Sequence, residues 1–293
     1  MSFFSILMAL LIEQVRPLSD INPIQRSLQA WANWVARTFD AGEQRQARVT
    51  WIMLVGTPAL LVMLVHWLME FAVGWPAVMA WNVAVLYATL GFRQFSHHFT
   101  AIRDALEAGD EERARQLLAA WQSVQVGQIP RSEIVRHVIE YSVLAAHRHV
   151  FGVLLWYALM SVIGLGPAGA VVYRLAGWIH HQWSPPDDQQ TVSTVLREVT
   201  RRSWRVLDWL PARATALAFA VVGRFEDAMD GWRHYAQQFP DDNDGVILAA
   251  TSGAIDIRLG GAALQPEPEV VILDEEGQPS SAPPRLPCAA ASS

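Results

Sequence analysis

Residues 51–92 read WIMLVGTPALLVMLVHWLMEFAVGWPAVMAWNVAVLYATLGF and contain two long apolar runs. The first run, Trp51–Phe71, carries Glu70 as its single charged residue, and the second, Trp75–Phe92, carries none. A helix of about 20 apolar residues crosses the hydrocarbon core of a bilayer. Because only residues 72–74 separate the runs, the sequence predicts an antiparallel hairpin of two membrane-spanning helices.

Arginines flank this hairpin on both sides. Those before it are Arg16, Arg26, Arg37, Arg45 and Arg48, and those after it are Arg93, Arg103, Arg113 and Arg115. Cytoplasmic loops of membrane proteins carry an excess of basic residues, so both flanks are predicted to be cytoplasmic. Tryptophans near the ends of the apolar runs, such as Trp51, Trp75 and Trp178, are typical of an interfacial aromatic belt.

The composition favours a membrane protein and excludes several kinds of chemistry. Hydrophobic residues make up 52% and charged residues 17% of the 293 residues, whereas soluble domains carry about 25% charged residues. A large soluble helical core is the alternative, but two such runs are rare in soluble proteins. All 22 basic residues are arginine, which excludes lysine-dependent catalysis. A net charge of -6 argues against nucleic acid as a partner, and the lone Cys288 excludes a cysteine-built metal site.

A third apolar stretch, Val150–Tyr173, contains Gly164, Gly166 and Pro167 in its middle. Glycine and proline interrupt helices, and non-helical backbone at membrane depth must be buried in protein. We therefore predict that residues 150–179 form two half-helices that turn at these glycines, as a broken or re-entrant segment.

This turn decides where the next basic residues lie. The segment that follows carries Arg197, Arg201, Arg202 and Arg205. A re-entrant segment places these four arginines in the cytoplasm, whereas one straight span would place them outside, against the charge rule. Periplasmic labelling of a cysteine introduced at residue 195 would contradict the re-entrant topology. A fourth apolar stretch, Val206–Gly223, contains Asp208, Pro211 and Arg213 and spans a membrane only if these are satisfied within protein.

Three groups of neighbouring histidines lie at 97–98, 147–149 and 180–181. None has the i, i+4 spacing of a helical zinc site, so we interpret them as interfacial or hydrogen-bonded residues and predict no metal ligands.

Charged side chains at the ends of the apolar runs or inside them are the better functional candidates, because an unpaired charge there is unfavourable. They are Glu140, Arg148, Arg174, Asp208 and Arg213. One interpretation is structural pairing, for instance of Asp208 with Arg213. A second is an arginine-lined pocket at the cytosolic interface that binds a phosphate or carboxylate. A third is anchoring of the same arginines to anionic lipid.

Short motifs spread over residues 1–261 resemble a known family. They are Gly109-Asp110 with Ala114-Arg115, Glu133–Glu140, Gly166–Arg174, Leu207–Arg213, Asn243–Gly245 and Ser252–Gly261. Together they resemble the CobD/CbiB family, the adenosylcobinamide-phosphate synthases of cobalamin biosynthesis, and its relative AmpE. The resemblance implies a multi-pass protein of the bacterial inner membrane. It also implies a reaction that uses ATP to join adenosylcobyric acid and aminopropanol phosphate through an amide.

The resemblance fails where the synthases carry acidic and amide side chains. Their VAENTSDG motif falls on residues 143–149, which read VLAAHRH, and their NTLDSM element falls on residues 177–182. ATP-dependent chemistry requires oxygen ligands for Mg²⁺. The leading hypothesis is therefore a family member that has lost the synthase motifs and acts as an AmpE-like signalling, scaffolding or binding protein.

In this hypothesis a set of arginines holds an anionic or corrinoid ligand, or another membrane protein, and Glu140 and Asp208 orient them. These arginines are Arg136, Arg148, Arg174, Arg213 and Arg258. The alternative is an active synthase that uses Mg²⁺ and ATP, with Glu133, Glu140 and Asp208 as candidate catalytic acids. A small-molecule transporter is the second alternative, because broken helices are common in transporters. The lipid bilayer is the predicted partner in every case.

The predicted fold is an all-α, multi-pass integral membrane protein with a cytoplasmic helical insertion and broken or re-entrant helices. The expected segments are an N-terminal interfacial helix and cytoplasmic segment (1–48), a transmembrane hairpin (49–92), the helical insertion (93–149), a membrane region with re-entrant or broken helices (150–223), a C-terminal helical segment (224–261) and a disordered tail (262–293).

Overall fold

A computed structural model describes residues 2–15, 23–90, 92–122, 129–183 and 192–260. All regular structure in these ranges is helical, which confirms the predicted all-α class. The helices are α1 (Ser2–Val15), α2 (Pro23–Phe39), α3 (Gln44–Ala72), α4 (Trp75–Thr89), α5 (Phe92–Glu107), α6 (Glu111–Gln122), α7 (Arg131–Ala146), α8 (Gly152–Val162), α9 (Ala168–Trp183), α10 (Thr194–Val222), α11 (Phe225–Tyr235) and α12 (Asp242–Ile255). A π-helical turn, His147–Phe151, joins α7 to α8, and a 3₁₀ turn, Ala236–Gln238, follows α11.

Helices α3 and α4 form the predicted hairpin, but of the two only α3 is long and apolar enough to cross a membrane, since α4 has 15 residues. Gly74, in the connection, has φ of +96°, a left-handed conformation that glycine adopts without steric cost. The two helices are joined at His66, whose Nδ1 lies 3.1 Å from the Asn82 side-chain oxygen. Both side chains are buried, and a second hydrogen bond, from the Trp81 indole N–H to the Val62 carbonyl oxygen at 3.3 Å, also joins the two helices.

The predicted break in the third apolar stretch is present. Helix α8 ends at Val162, and α9 begins at Ala168 and packs back against α8. Gly164 and Gly166 in the turn have φ of +79° and +57°. The turn sits against α3, because the Trp67 indole N–H donates to the Gly164 carbonyl oxygen at 2.9 Å. The break at these glycines is therefore confirmed, whereas the re-entrant arrangement of two half-helices stays a prediction, because the helical segment before the break, Arg131–Val162, is itself long enough to span a membrane.

Two helical segments of the described chain are long and apolar enough to cross a membrane, Gln44–Ala72 and Arg131–Val162. Large apolar side chains on α3, such as Leu60, Leu61 and Leu64, are more than half exposed. Exposed apolar surface of this extent is expected where lipid replaces water as the solvent. These features suggest a membrane protein, and a multi-pass topology in the inner membrane stays a prediction.

The predicted helical insertion begins with a hairpin of two helices, α5 and α6. Gly109 adopts a positive φ of +77° at the end of α5, and the Asp110 side chain accepts a hydrogen bond from the Arg113 N–H at 3.0 Å. The hairpin and the first half of α7 share a small apolar core that includes Ile102 and Leu118. This core positions α7, which leads directly into the π-helical turn.

The last three helices pack closely on one another. Helix α12 lies against α10 and α11, and a Cβ atom at Gly231 or Gly253 would collide with the backbone of the neighbouring helix. The close approach brings the N-terminal end of α12 next to the π-helical turn. The predicted disordered tail, 262–293, lies outside the described residues.

Candidate anion-binding site

The π-helical turn at His147–Phe151 is the feature around which charged side chains gather. A π turn places one extra residue in a helical turn and occurs often at functional sites. Here it directs three consecutive side chains to three different helices: His147 to α10, Arg148 to α12 and His149 to α9. We call these three side chains, with their partners Tyr173, Arg174, His181, Asp208, Thr215 and Asp244, the π-turn site.

His147 and Asp208 form the buried centre of the site. The His147 Nε2 lies 2.8 Å from one Asp208 carboxylate oxygen, and the Tyr173 hydroxyl donates to the same oxygen at 2.7 Å. His147 Nδ1 lies 2.9 Å from the hydroxyl of Thr215. Asp208 is 1% exposed, so its charge depends on these donors instead of on water. The network ties the π turn to α9 and α10.

Arg148 connects the π turn to α12. Its Nη2 donates to an Asp244 carboxylate oxygen, and its Nη1 lies 3.2 Å from His181 Nε2. Burial raises the pKa of the Asp244 carboxyl above its usual value, although Arg148 opposes this shift. The buried Nε of Arg148 has no hydrogen-bond partner among the described residues. One donor of this guanidinium is therefore available to a further acceptor.

Arg174 lies on the other side of the turn. Its Nη1 donates to Nδ1 of His149. A guanidinium has no acceptor, so the His149 and His181 nitrogens that face Arg174 and Arg148 are unprotonated acceptors. Each of the two arginines thus donates a hydrogen bond to a neutral imidazole, which accepts the bond but does not offset the positive charge of the guanidinium.

Arg136 and Glu140, by contrast, lie away from the π-turn site. Arg136 donates to Glu133 on one side and to Glu140 on the other, with an Arg136 Nη1 to Glu140 Oε1 distance of 2.9 Å. The same Glu140 oxygen accepts the backbone N–H of Gly260 at 2.7 Å. Two of the three candidate catalytic acids therefore hold Arg136 and the chain segment after α12.

The pairing of Asp208 with Arg213 is wrong. The hydrogen bonds of Asp208 go to His147 and Tyr173. Arg213 instead donates to the Asn243 side-chain oxygen at 3.0 Å and lies over the Trp209 ring, 4.3 Å from its centroid. The Arg213 guanidinium extends toward the surface, where the face of the Trp209 ring and the side-chain amide of Asn243 hold it. Arg258, another predicted ligand-binding residue, is exposed after the end of α12.

The structure thus gathers Arg148, Arg174 and Asp208 in one site and leaves Arg136, Arg213 and Arg258 elsewhere. In the described part of the chain, no three His, Cys, Asp or Glu side chains lie close enough together to hold a metal ion.

Sequence reasoning missed His147, Tyr173, Thr215 and Asp244. His147 was interpreted as an interfacial or hydrogen-bonded histidine, and its hydrogen bonds are confirmed. Its partners, Asp208 and Thr215, are 61 and 68 residues away in the sequence. No spacing rule links positions so far apart, and the π turn that brings them together has no sequence signature of its own.

Comparison with known proteins gives one family. A family model described as CobD/Cbib protein matches residues 5–179. No solved structure matches the chain.

Curated relatives carry the same family name. A "Cobalamin biosynthesis protein CobD" of Chromobacterium violaceum is 32% identical over 184 residues, which cover 62% of this chain and 55% of the relative. A protein of the same name from Stutzerimonas stutzeri is 26% identical over 277 residues, covering 89% of this chain and 83% of the relative. A third, from Mycobacterium tuberculosis, is 28% identical over 202 residues, which cover 64% of this chain and 58% of the relative. The chain thus matches little more than half the length of the first and third relatives.

Proposed function

The chain belongs to the CobD/CbiB family, and on that premise we propose that it is a membrane-bound, ligand-binding member that lacks the synthase reaction. The ligand is a phosphate-bearing or corrinoid anion, and Arg148 and Arg174 of the π-turn site bind it. The protein then acts in the inner membrane as a signalling or scaffolding component, as its AmpE-like segments suggest.

The observation that carries this proposal is how the three candidate catalytic acids are used. Glu133 accepts hydrogen bonds from Arg136, and Glu140 accepts them from Arg136 and Gly260. Asp208 accepts them from His147 and Tyr173. Each carboxylate is engaged by donors of the protein itself. Such acids are poor ligands for Mg²⁺, which binds through one or two carboxylates that are open to the metal.

The arginines, in contrast, keep binding capacity. Arginine binds phosphate and carboxylate groups through two parallel N–H donors. Arg148 contacts Asp244 through Nη2 and leaves its Nε without a partner among the described residues. A ligand phosphate that takes both donors would displace Asp244. Because Asp244 lies in the first turn of α12, its displacement would transmit the effect of ligand binding to the C-terminal helices.

The test uses the purified full chain in detergent, titrated with aminopropanol phosphate and, separately, with inorganic phosphate. We expect saturable binding that is lost by at least about tenfold in Arg148→Gln and in Arg174→Gln, since each removes a charge-assisted contact. Arg233→Gln, at an exposed position on α11, is the matched control and should bind like the wild type. Equal affinity in all four proteins would contradict the proposal.

An active synthase is the second candidate, because the family match extends over most of the chain in the Stutzerimonas stutzeri relative. Complementation separates the two functions. A strain that lacks the synthase and must make cobalamin from cobyric acid should not grow when given this gene. Growth that disappears with Glu140→Gln would establish the synthase instead.

A further inference from the structure

Helices α3 and α10 begin side by side. Asp40, four residues before α3, accepts hydrogen bonds from both the backbone N–H and the hydroxyl of Ser193, each at 2.7 Å. Ser193 in turn caps α10, since its hydroxyl oxygen accepts the Leu196 N–H at 3.1 Å. The two helices also contact one another along their length. The two helices therefore begin at the same end of the molecule. We call the exposed arginines of this end the basic patch: Arg45 and Arg48 in the first two turns of α3, and Arg202 and Arg205 in the third and fourth turns of α10.

The basic patch carries more positive than negative charge, and its arginines have no ion pair within the described part of the chain. Arg45 and Arg48 on α3 and Arg202 and Arg205 on α10 are exposed, and their side chains make no ion pair or hydrogen bond with described residues. Of the neighbouring acids, Glu198 is paired with Arg201 at 2.8 Å, whereas Asp40 accepts hydrogen bonds from the uncharged Ser193 and keeps its negative charge. Glu43 is the remaining acidic residue near the start of α3.

Each set of arginines continues directly into exposed apolar surface on the same helix. On α3, Arg45 and Arg48 are followed by Val49 and Ile52, which are 50% and 60% exposed. Residues three or four apart lie on one face of a helix, so the arginines and the apolar side chains form one stripe.

Helix α10 repeats this pattern. Arg202 and Arg205 are followed by Val206 and Trp209, which are 70% and 53% exposed, and then by exposed Leu210. Along both helices the order of the exposed side chains is the same: the arginines come first, and tryptophan or aliphatic side chains follow. The molecule thus presents guanidinium groups beside a surface suited to acyl chains.

We infer that this patch, defined by Arg45, Arg48, Arg202 and Arg205, binds anionic phospholipid. The arginines contact the headgroup phosphates and the stripes below them contact the acyl chains. Basic pockets between membrane helices recognise anionic lipids in this way. The inference does not involve the π-turn site, so its test can succeed or fail independently of the proposed ligand binding at that site.

The test measures lipids retained by the detergent-purified full chain in native mass spectrometry, with dioleoyl phosphatidylglycerol and dioleoyl phosphatidylcholine supplied in equal amounts. We expect the wild type to retain phosphatidylglycerol at least about tenfold over phosphatidylcholine. The triple variant Arg45→Gln/Arg48→Gln/Arg202→Gln should lose this preference. The control Arg103→Gln/Arg113→Gln/Arg233→Gln removes the same charge from exposed arginines elsewhere and should keep it.

A third variant guards against simple misfolding. Arg45→Lys/Arg48→Lys/Arg202→Lys keeps the charge, and it should keep most of the preference for phosphatidylglycerol. Addition of inorganic phosphate should leave lipid retention unchanged, because the site needs acyl chains as well as the phosphate. The inference is overturned if the wild type does not discriminate between the lipids, if the control loses the preference as fully as the test variant, or if inorganic phosphate displaces the lipid.

Discussion

Glu140 and Asp208 are both buried carboxylates near the centre of the molecule, yet they are held in different ways. The side-chain donors to Glu140, Arg136 and His137, lie on its own helix, and one backbone N–H comes from Gly260. The donors to Asp208, His147 and Tyr173, come from two other helical segments. Glu140 is 9% exposed and Asp208 only 1%.

This difference separates a local contact from a tertiary one. Residues three and four positions apart meet on any helix, so the Glu140 pairs form as soon as α7 does. The Asp208 network exists only when the π turn, α9 and α10 are assembled. We therefore expect Asp208 to stabilise the packing of the helices and Glu140 to stabilise mainly α7 and the segment after α12.

The largest effect is expected for Asp208→Ala. Removing this carboxylate leaves His147 and the Tyr173 hydroxyl buried without their acceptor, which lowers the free energy of unfolding by about 3–5 kcal/mol. Chemical denaturation of the detergent-purified protein, followed by circular dichroism, measures the loss. A change below about 1 kcal/mol would show that the network does not hold the helices together.

Glu140→Gln should have a smaller effect, a loss of about 1–2 kcal/mol in the free energy of unfolding. The amide oxygen still accepts the Gly260 N–H, and Arg136 keeps Glu133. Hydrogen exchange should increase at residues 256–260 and stay unchanged at residues 204–215. Faster exchange in both regions would mean that the two carboxylates are not independent.

Tyr173→Phe tests one bond of the Asp208 network. It removes the 2.7 Å hydrogen bond from the hydroxyl while His147 still donates to the carboxylate. The free energy of unfolding should fall by about 1 kcal/mol, as for a single hydrogen bond. An effect as large as that of Asp208→Ala would show instead that the tyrosine controls the whole network.

Gly260→Ala tests the Glu140 region and should produce a small loss, similar to that of Tyr173→Phe. Gly260 has φ of +89°, and a Cβ there would lie 2.9 Å from the Phe239 ring. Gly74→Ala is the matched control, since Gly74 has φ of +96° with open space around it. In both variants backbone strain lowers the free energy of unfolding by about 1 kcal/mol. In Gly260→Ala the contact with Phe239 lowers it somewhat further. Thermal unfolding curves compare the two.

Apolar length and glycine position were sufficient to predict much of the fold. The runs around residues 51–92 predicted the α3–α4 hairpin, and Gly164 and Gly166 predicted the turn between α8 and α9. In each case the determining residues are adjacent in the sequence, so local chemistry is enough.

The candidate site was less accessible to sequence reasoning. Arg148, Arg174 and Asp208 were identified because charge within apolar runs is unfavourable without a partner. Their partners were not identified, and Arg213 was suggested as a partner of Asp208 only as one example of pairing among the charges of the apolar runs. The actual partner, His147, is 61 residues away on a π turn. Pairing at that distance follows from tertiary packing, which a single sequence does not reveal.

The π turn also has a consequence for how this chain tolerates insertions and deletions. Removing one residue from 147–151 would restore an unbroken α-helix from Arg131 to Val162 and rotate α8 by about 100° relative to α7. The hairpin of α8 and α9 would then face a different neighbour, or His147 would leave Asp208. A one-codon deletion here should therefore be far more damaging than the same deletion in the exposed connection of residues 41–43 between α2 and α3, and a deletion scan across both segments would show this asymmetry directly.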